Sequence, residues 1–196
     1  DQRAMAMGAA RYECIDITEQ YYDDCLRYLI YGNVLRSNTY PLSVSSERAF
    51  QAMAILKYAK THGINAIAHG STGAGNDQIR FDTVFISDAD DFEIITPIRD
   101  KKLSRQEEID YIHSKGFDWS EQKKNYSINQ GLWGTSIGGK ETLTSRHTIP
   151  EEAYLSEAKS LAPLDLEITF EEGEPVALDG EKYKSVPNKK GIYFWK

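Results

Sequence analysis

The sequence predicts an α/β protein: a parallel sheet flanked by helices, followed by part of a second, α+β domain. Three observations carry this. Short apolar runs at Ile64 to His69 and Phe92 to Ile95 alternate with helical patterns, the order of a parallel sheet built through crossover helices. A glycine-rich turn, Gly70 to Gly75, stands between the first of those runs and a helix. Near Trp119 the helical periodicity gives way to Gly, Ser, Thr and Asn, and later to strict apolar alternation, so the division is placed at 1–118 and 119–196.

Each element has its own signal. Asp1 to Gly8 reads as the end of a helix stopped by Gly8, which leads us to expect residues upstream of it. Arg11 to Ile17 alternates loosely, as a short strand does. Thr18 caps a helix over Glu19 to Tyr31, closed by Gly32 and Asn33. After a loop over Val34 to Val44, Ser45 or Ser46 caps a helix over Glu47 to Lys60, with Phe50, Met53, Ala54 and Tyr58 on its apolar face. Asn76 or Asp77 opens the helix after the glycine turn, which runs to about Phe85. Ser104 and Glu107 have the spacing of a capping box, for a helix ending near Lys115. Leu164, Leu166, Ile168 and Phe170 alternate into Glu171-Glu172-Gly173-Glu174 and a strand over Val176 to Leu178, which is a β-hairpin. Internal repeats and low-complexity segments are absent from the sequence.

Composition narrows the function classes. The 196 residues are 40% hydrophobic and 27% charged, ordinary values for a globular protein with a real core. The net charge is −7 without a basic cluster, which argues against nucleic acid as the main partner. An anionic ligand would have to be held by local geometry rather than by a global field. No apolar run approaches the ~18 residues of a membrane span, and the N-terminus lacks a signal-peptide core. Cys14 and Cys25 have no disulfide or metal spacing and read as two buried or half-buried thiols of a cytoplasmic protein.

The chemistry concentrates in the run from Ala68 to Asp82. A strand entering a glycine turn and then a helix exposes backbone N–H groups beside the positive end of the helix, which is an anion site. Neither a Walker lysine nor the Gly-x-Gly-x-x-Gly spacing is present. Asn76 caps the helix on the bland reading; otherwise its amide, both donor and acceptor, suits an amide or ureido group. Arg80, one turn later, is a surface cation or a grip for a carboxylate, and Asp77 can hold an ammonium group. The set suits amino-acid ligands. A second run, Tyr126 to Glu141, places Ser127 and Ser136 among glycines around Trp133, as a ligand-binding loop or a self-capped turn. His69 reads equally as a packed strand-end residue and as a nucleotide contact. His62, His113 and His147 read as surface residues, and Glu171 to Glu174 as a solvated turn.

Both runs closely resemble argininosuccinate synthases. So do Asn38-Thr39-Tyr40-Pro41 with Ser45-Ser46-Glu47-Arg48, and Pro97-Ile98-Arg99-Asp100 with Leu103-Ser104-Arg105. The resemblance covers most of residues 11 to 155. It implies an adenine nucleotide alpha hydrolase-like, Rossmann-like domain over 1–118 and part of the citrulline- and aspartate-binding synthetase domain over 119–196. The implied activity is an ATP-dependent carbon–nitrogen ligation. The ureido oxygen of citrulline attacks the α-phosphate, and aspartate then displaces AMP to give argininosuccinate. Mg²⁺ would travel on ATP, with no metal held by the protein and no prosthetic group.

The resemblance also assigns residues. Tyr40, Ser45, Asn76, Arg80, Ser127 and Ser136 would contact citrulline; Thr72, Asn76 and Asp77 aspartate; and Gly70 ATP. Asp77 and Arg80 would be the catalytic pair. The family's Ser-Gly-Gly-x-Asp-Thr/Ser loop is not among these residues, so a fragment of a cytoplasmic homo-oligomer, a tetramer in the family, is expected. Two other readings stand beside it. A tRNA-modifying or other adenylating enzyme of the same fold would bring catalytic cysteines or a basic stripe, and the sequence has neither. A non-catalytic module would keep only the scaffold.

Overall fold

A computed structural model describes residues 2–73, 75–88, 91–117, 126–132, 134–156 and 162–182. Ala74 of the turn, Trp119, Trp133 and Gly191 to Lys196 lie outside the described residues. In chain order the helices are α1 (Gln2–Ala6), α2 (Thr18–Tyr21) running through a π-turn (Tyr22–Leu26) into α3 (Arg27–Tyr31), α4 (Ser43–Thr61), α5 (Asp77–Asp88), α6 (Pro97–Lys101) and α7 (Arg105–Ser114). The strands are β1 (Leu35–Arg36), β2 (Tyr40–Pro41), β3 (Ala66–Ala68), β4 (Glu93–Ile95), β5 (Ser127–Gly131), β6 (Gly134–Gly138), β7 (Ile168–Glu171), β8 (Glu174–Leu178) and β9 (Glu181–Lys182). The residues form two compact units, one from 1–17 and 48–122, the other from 18–47 and 123–196.

The first unit holds the parallel pairing expected from the sequence. Ala66, Ile67 and Ala68 face Glu93, Ile94 and Ile95 in register. Bonds at both ends extend the ladder: the Glu93 amide donates to Asn65 (2.9 Å) and the His69 amide to Ile95 (3.1 Å). The core joins Ala52, Leu56 and Ala59 of α4 to Ile67 of β3 and Phe85 of α5, with Phe81, Val84, Phe92 and Ile94 packed around them. The inward stripe of α4 is therefore not the one expected. Phe50, Ala54 and Tyr58 are only half-buried and Met53 is exposed. Apolar residues surround this helix, so periodicity alone could not choose a face. The small Ala52 and Ala59 let β3 and α5 approach closely.

Three other expectations are corrected. Arg11 to Ile17 forms no strand, because nothing among the described residues offers it a ladder. Cys14, within that segment, is exposed rather than buried or half-buried. The α4 helix starts at Ser43, ahead of the two serines expected to cap it. The α7 capping box is formed as expected: Ser104 accepts from the Glu107 amide, and the Glu107 carboxylate accepts from the Ser104 amide at 2.7 Å. Those bonds hold the Glu107 carboxyl below its ordinary pKa.

In the second unit Tyr21, Tyr22 and Leu26 form a buried face on the helix from Thr18 to Tyr31. The Tyr21 hydroxyl donates to the Ser43 carbonyl at 2.8 Å. The β7–β8 hairpin turns on Glu172 and Gly173, both at positive φ (51° and 89°), the conformation that a tight two-residue hairpin turn needs. Its first strand begins at Ile168, because β8 turns away again at Asp179 and Gly180 and leaves Leu164 and Leu166 without a partner strand among the described residues. The turn is not merely solvated: Glu174 accepts from Arg27 Nε at 3.0 Å and from the Tyr31 hydroxyl.

Candidate functional site

The glycine turn and the start of α6 both lie at the carboxyl ends of the parallel strands. In open α/β sheets this is the end at which ligands bind. The β3 strand leads through His69 into the turn, and β4 leads through Thr96 into α6. The backbone of α6 ends with Lys102 in the left-handed region. A side chain at Gly73 would meet Arg99 Cγ at 3.8 Å, and one at Gly70 would come within 4.0 Å of Ile98 Cγ1. The turn is thus laid over α6, within ordinary van der Waals reach of it.

The residues expected to bind ligand in this unit are Gly70, Thr72, Asn76, Asp77 and Arg80, and none of them is buried. Gly70 and Thr72 are exposed in the turn. Asn76 is exposed immediately before α5, and its carbonyl accepts the Arg80 amide at 3.3 Å. Asp77 is the first residue of α5, where a carboxylate is favoured by the unpaired amides of the first turn. Arg80 Nη1 donates to Asp77 Oδ1 at 2.6 Å. Arg48, on α4, reaches the other oxygen of the same carboxylate, Nε to Oδ2 at 3.5 Å.

Asp77 therefore sits between two guanidinium groups, which fixes its rotamer and leaves Arg80 engaged. A carboxylate ligand aimed at Arg80 has to share it with Asp77. The role of Arg48 was missed. It stands within the Ser45-Ser46-Glu47-Arg48 run, but nothing in its spacing connects it with a residue two elements further on.

In the second unit Tyr40 lies in β2, half-buried and opposite Arg36. Ser45 is buried near the start of α4, where its hydroxyl donates to the Leu42 carbonyl at 3.3 Å. The Ser127–Gly131 and Gly134–Gly138 strands pair with Ser127 opposite Gly138 and Asn129 opposite Ser136. Opposed residues share a face, and so do residues two apart, so Ser127, Asn129 and Ser136 point to the same side of the hairpin. The Tyr126 phenol, just ahead of this hairpin, is pushed above its ordinary pKa by burial and by the charges of Glu141 and Glu152.

The profile described as Arginosuccinate synthase N-terminal HUP domain matches residues 1–118. The chain belongs to the argininosuccinate synthase family. The matched residues 1–118 accordingly have the Rossmann-like α/β fold of that domain. Similarity to curated argininosuccinate synthases extends beyond the matched domain. The protein of Methanocaldococcus jannaschii is 38% identical over 189 residues, covering 95% of this chain and 48% of the relative. The protein of Methanospirillum hungatei is 39% identical over 181 residues, 90% of this chain and 45% of the relative. That of Dictyoglomus turgidum is 37% identical over 180 residues, again 45% of the relative. The chain thus spans about half the length of the curated relatives it matches.

Among the described residues no group of three or more His, Cys, Asp or Glu is placed to hold a metal ion. No described helix is long and apolar enough to cross a membrane.

Proposed function

We propose that this chain is part of an argininosuccinate synthase, which joins L-citrulline to L-aspartate at the expense of ATP. The reading rests on one observation above the rest: a glycine turn at the carboxyl end of a parallel strand pair opens into α5, whose first turn presents the Asp77–Arg80 pair. Backbone amides there favour an anion, as the nucleotide phosphates require. Side chains of both charges favour zwitterionic amino acids.

In this reading Gly70 lies against ATP and Mg²⁺ arrives on the nucleotide as part of the substrate. Asn76, Arg80, Tyr40, Ser45, Ser127 and Ser136 contact citrulline; Thr72, Asn76 and Asp77 contact aspartate. The ureido oxygen attacks the α-phosphate, the O–P bond forms as pyrophosphate leaves, and the aspartate amine then displaces AMP. Asp77 orients that amine, and Arg80 fixes a substrate carboxylate, so catalysis comes from positioning and charge rather than from a protein nucleophile. Residues 1–118 act as the nucleotide-binding part and 119–196 as the synthetase part of a cytoplasmic homo-oligomer.

The test is turnover by the polypeptide as encoded. Pyrophosphate should be released from ATP only when citrulline is present, and argininosuccinate should form only when aspartate is added as well. Pyrophosphate release that ignores citrulline would reject the reading in favour of a different adenylating enzyme.

A further inference from the structure

The residues beneath the glycine turn form a connected polar network that the roles above do not use. The Ser71 amide donates to His69 Nδ1 at 3.3 Å, so that nitrogen carries a lone pair. His69 Nε2 lies 3.1 Å from Asp82 Oδ1, and a carboxylate can only accept, so Nε2 carries the proton. The ring is further held by stacking on Phe81. The second oxygen of Asp82 pairs with Arg99 Nη1. The same Nη1 reaches Gln78 Oε1 at 3.4 Å, while Arg99 Nη2 donates to the buried Thr96 hydroxyl at 3.1 Å. Gln78 closes the path, donating from Nε2 to the Gly73 carbonyl at 2.7 Å.

The turn is thus gripped at two backbone points, the Ser71 amide and the Gly73 carbonyl, and both grips lead back to Arg99. We propose that Arg99 is a positioning residue, which presets the 70–75 turn for its ligand through Asp82 and His69 on one side and Gln78 on the other. The planar guanidinium holds donors on separate nitrogens in fixed directions and so reaches Asp82, Gln78 and Thr96 together; an ammonium group has its three donors on a single nitrogen and cannot span them. Asp82 has a second task. As a carboxylate it fixes the His69 tautomer that leaves Nδ1 free to accept from Ser71, the same logic by which a buried aspartate sets a catalytic histidine.

The proposal rests on the turn being the ligand site, and its test separates the two. In the intact chain a nitrogen–proton correlation spectrum of the imidazoles should find His69 protonated at Nε2 alone. Asp82→Asn offers an N–H to Nε2, so the proton should move to Nδ1. Exchange of the Ser71 amide should then quicken about tenfold, the scale of one lost hydrogen bond. Arg99→Lys should still fold but bind ATP with magnesium about tenfold more weakly than wild type, because charge is kept while the fork is lost. A wild-type His69 protonated at Nδ1 overturns the proposal even if no variant folds. So does an Arg99→Lys protein that binds ATP as wild type does. Failure of the wild-type chain to bind nucleotide counts against the functional reading of the turn and not against the network, which the tautomer and exchange results still decide.

Discussion

Asp77 and Arg80 make an ion pair with each other as well as being the expected ligand contacts, so their substitutions should not behave as independent deletions. Arg80→Ala removes a charged donor from citrulline and should weaken its binding by ~1.5–3 kcal/mol, read by calorimetry. Unchanged citrulline affinity would remove Arg80 from the site. Asp77→Ala should act differently. It frees Arg80 from its internal partner, so citrulline affinity should hold or improve, while the aspartate step slows. The measurement is pyrophosphate release with citrulline alone against argininosuccinate formation with both amino acids. Equal losses in the two assays would contradict the assignment. Neither the pairing of Asp77 with Arg48 nor the dependence of Glu174 on Arg27 could be read from the sequence. Both join residues far apart along the chain, and each partner alone looks like a solvated charge.

Elements were legible where local rules decide them. The capping box of α7, the glycine turn before α5 and the Glu172-Gly173 hairpin turn need only a few adjacent residues to declare themselves. The strand expected at Arg11 to Ile17 and the length given to β7 failed for one reason: alternation describes a strand's faces but does not supply its partner. Two substitutions test the local devices. Ser104→Ala should cost about 1 kcal/mol of stability, read by urea unfolding, by removing the N-terminal cap of α7. Glu107 contributes to the same cap with a lowered folded pKa. Its contribution is complete above the ordinary carboxylate range and is lost as the pH falls through the folded value. The stability gap between wild type and Ser104→Ala should therefore narrow in acid; a gap that widens there would argue against the carboxylate. Gly173→Ala should destabilise the β7–β8 hairpin. The residue sits at φ +89°, and a methyl group would come within 3.3 Å of Tyr31 Cδ1.

At the scale of the molecule, the α/β pattern with parallel pairing was readable because apolar runs and helices alternate. Which face of α4 turns inward was not, because that depends on what β3 and α5 bring to it. The first unit's core is small, and α5 serves it twice. Phe81, Val84 and Phe85 face the core, while Asp77, Gln78, Arg80 and Asp82 on the same helix carry the candidate site and its supports. Phe85, almost wholly buried at 1% exposure, is the largest buried side chain of that core among the described residues. Phe85→Ala should cost ~3–5 kcal/mol, a large share of the stability of an ordinary domain. The urea midpoint should fall accordingly. Ligand binding should weaken even where the chain stays folded, because α5 loses the anchor that holds its first turn beneath the ligand. A variant that loses the stability but keeps full affinity would mean that the site is held by the Arg99 network alone, independently of the core beneath α5.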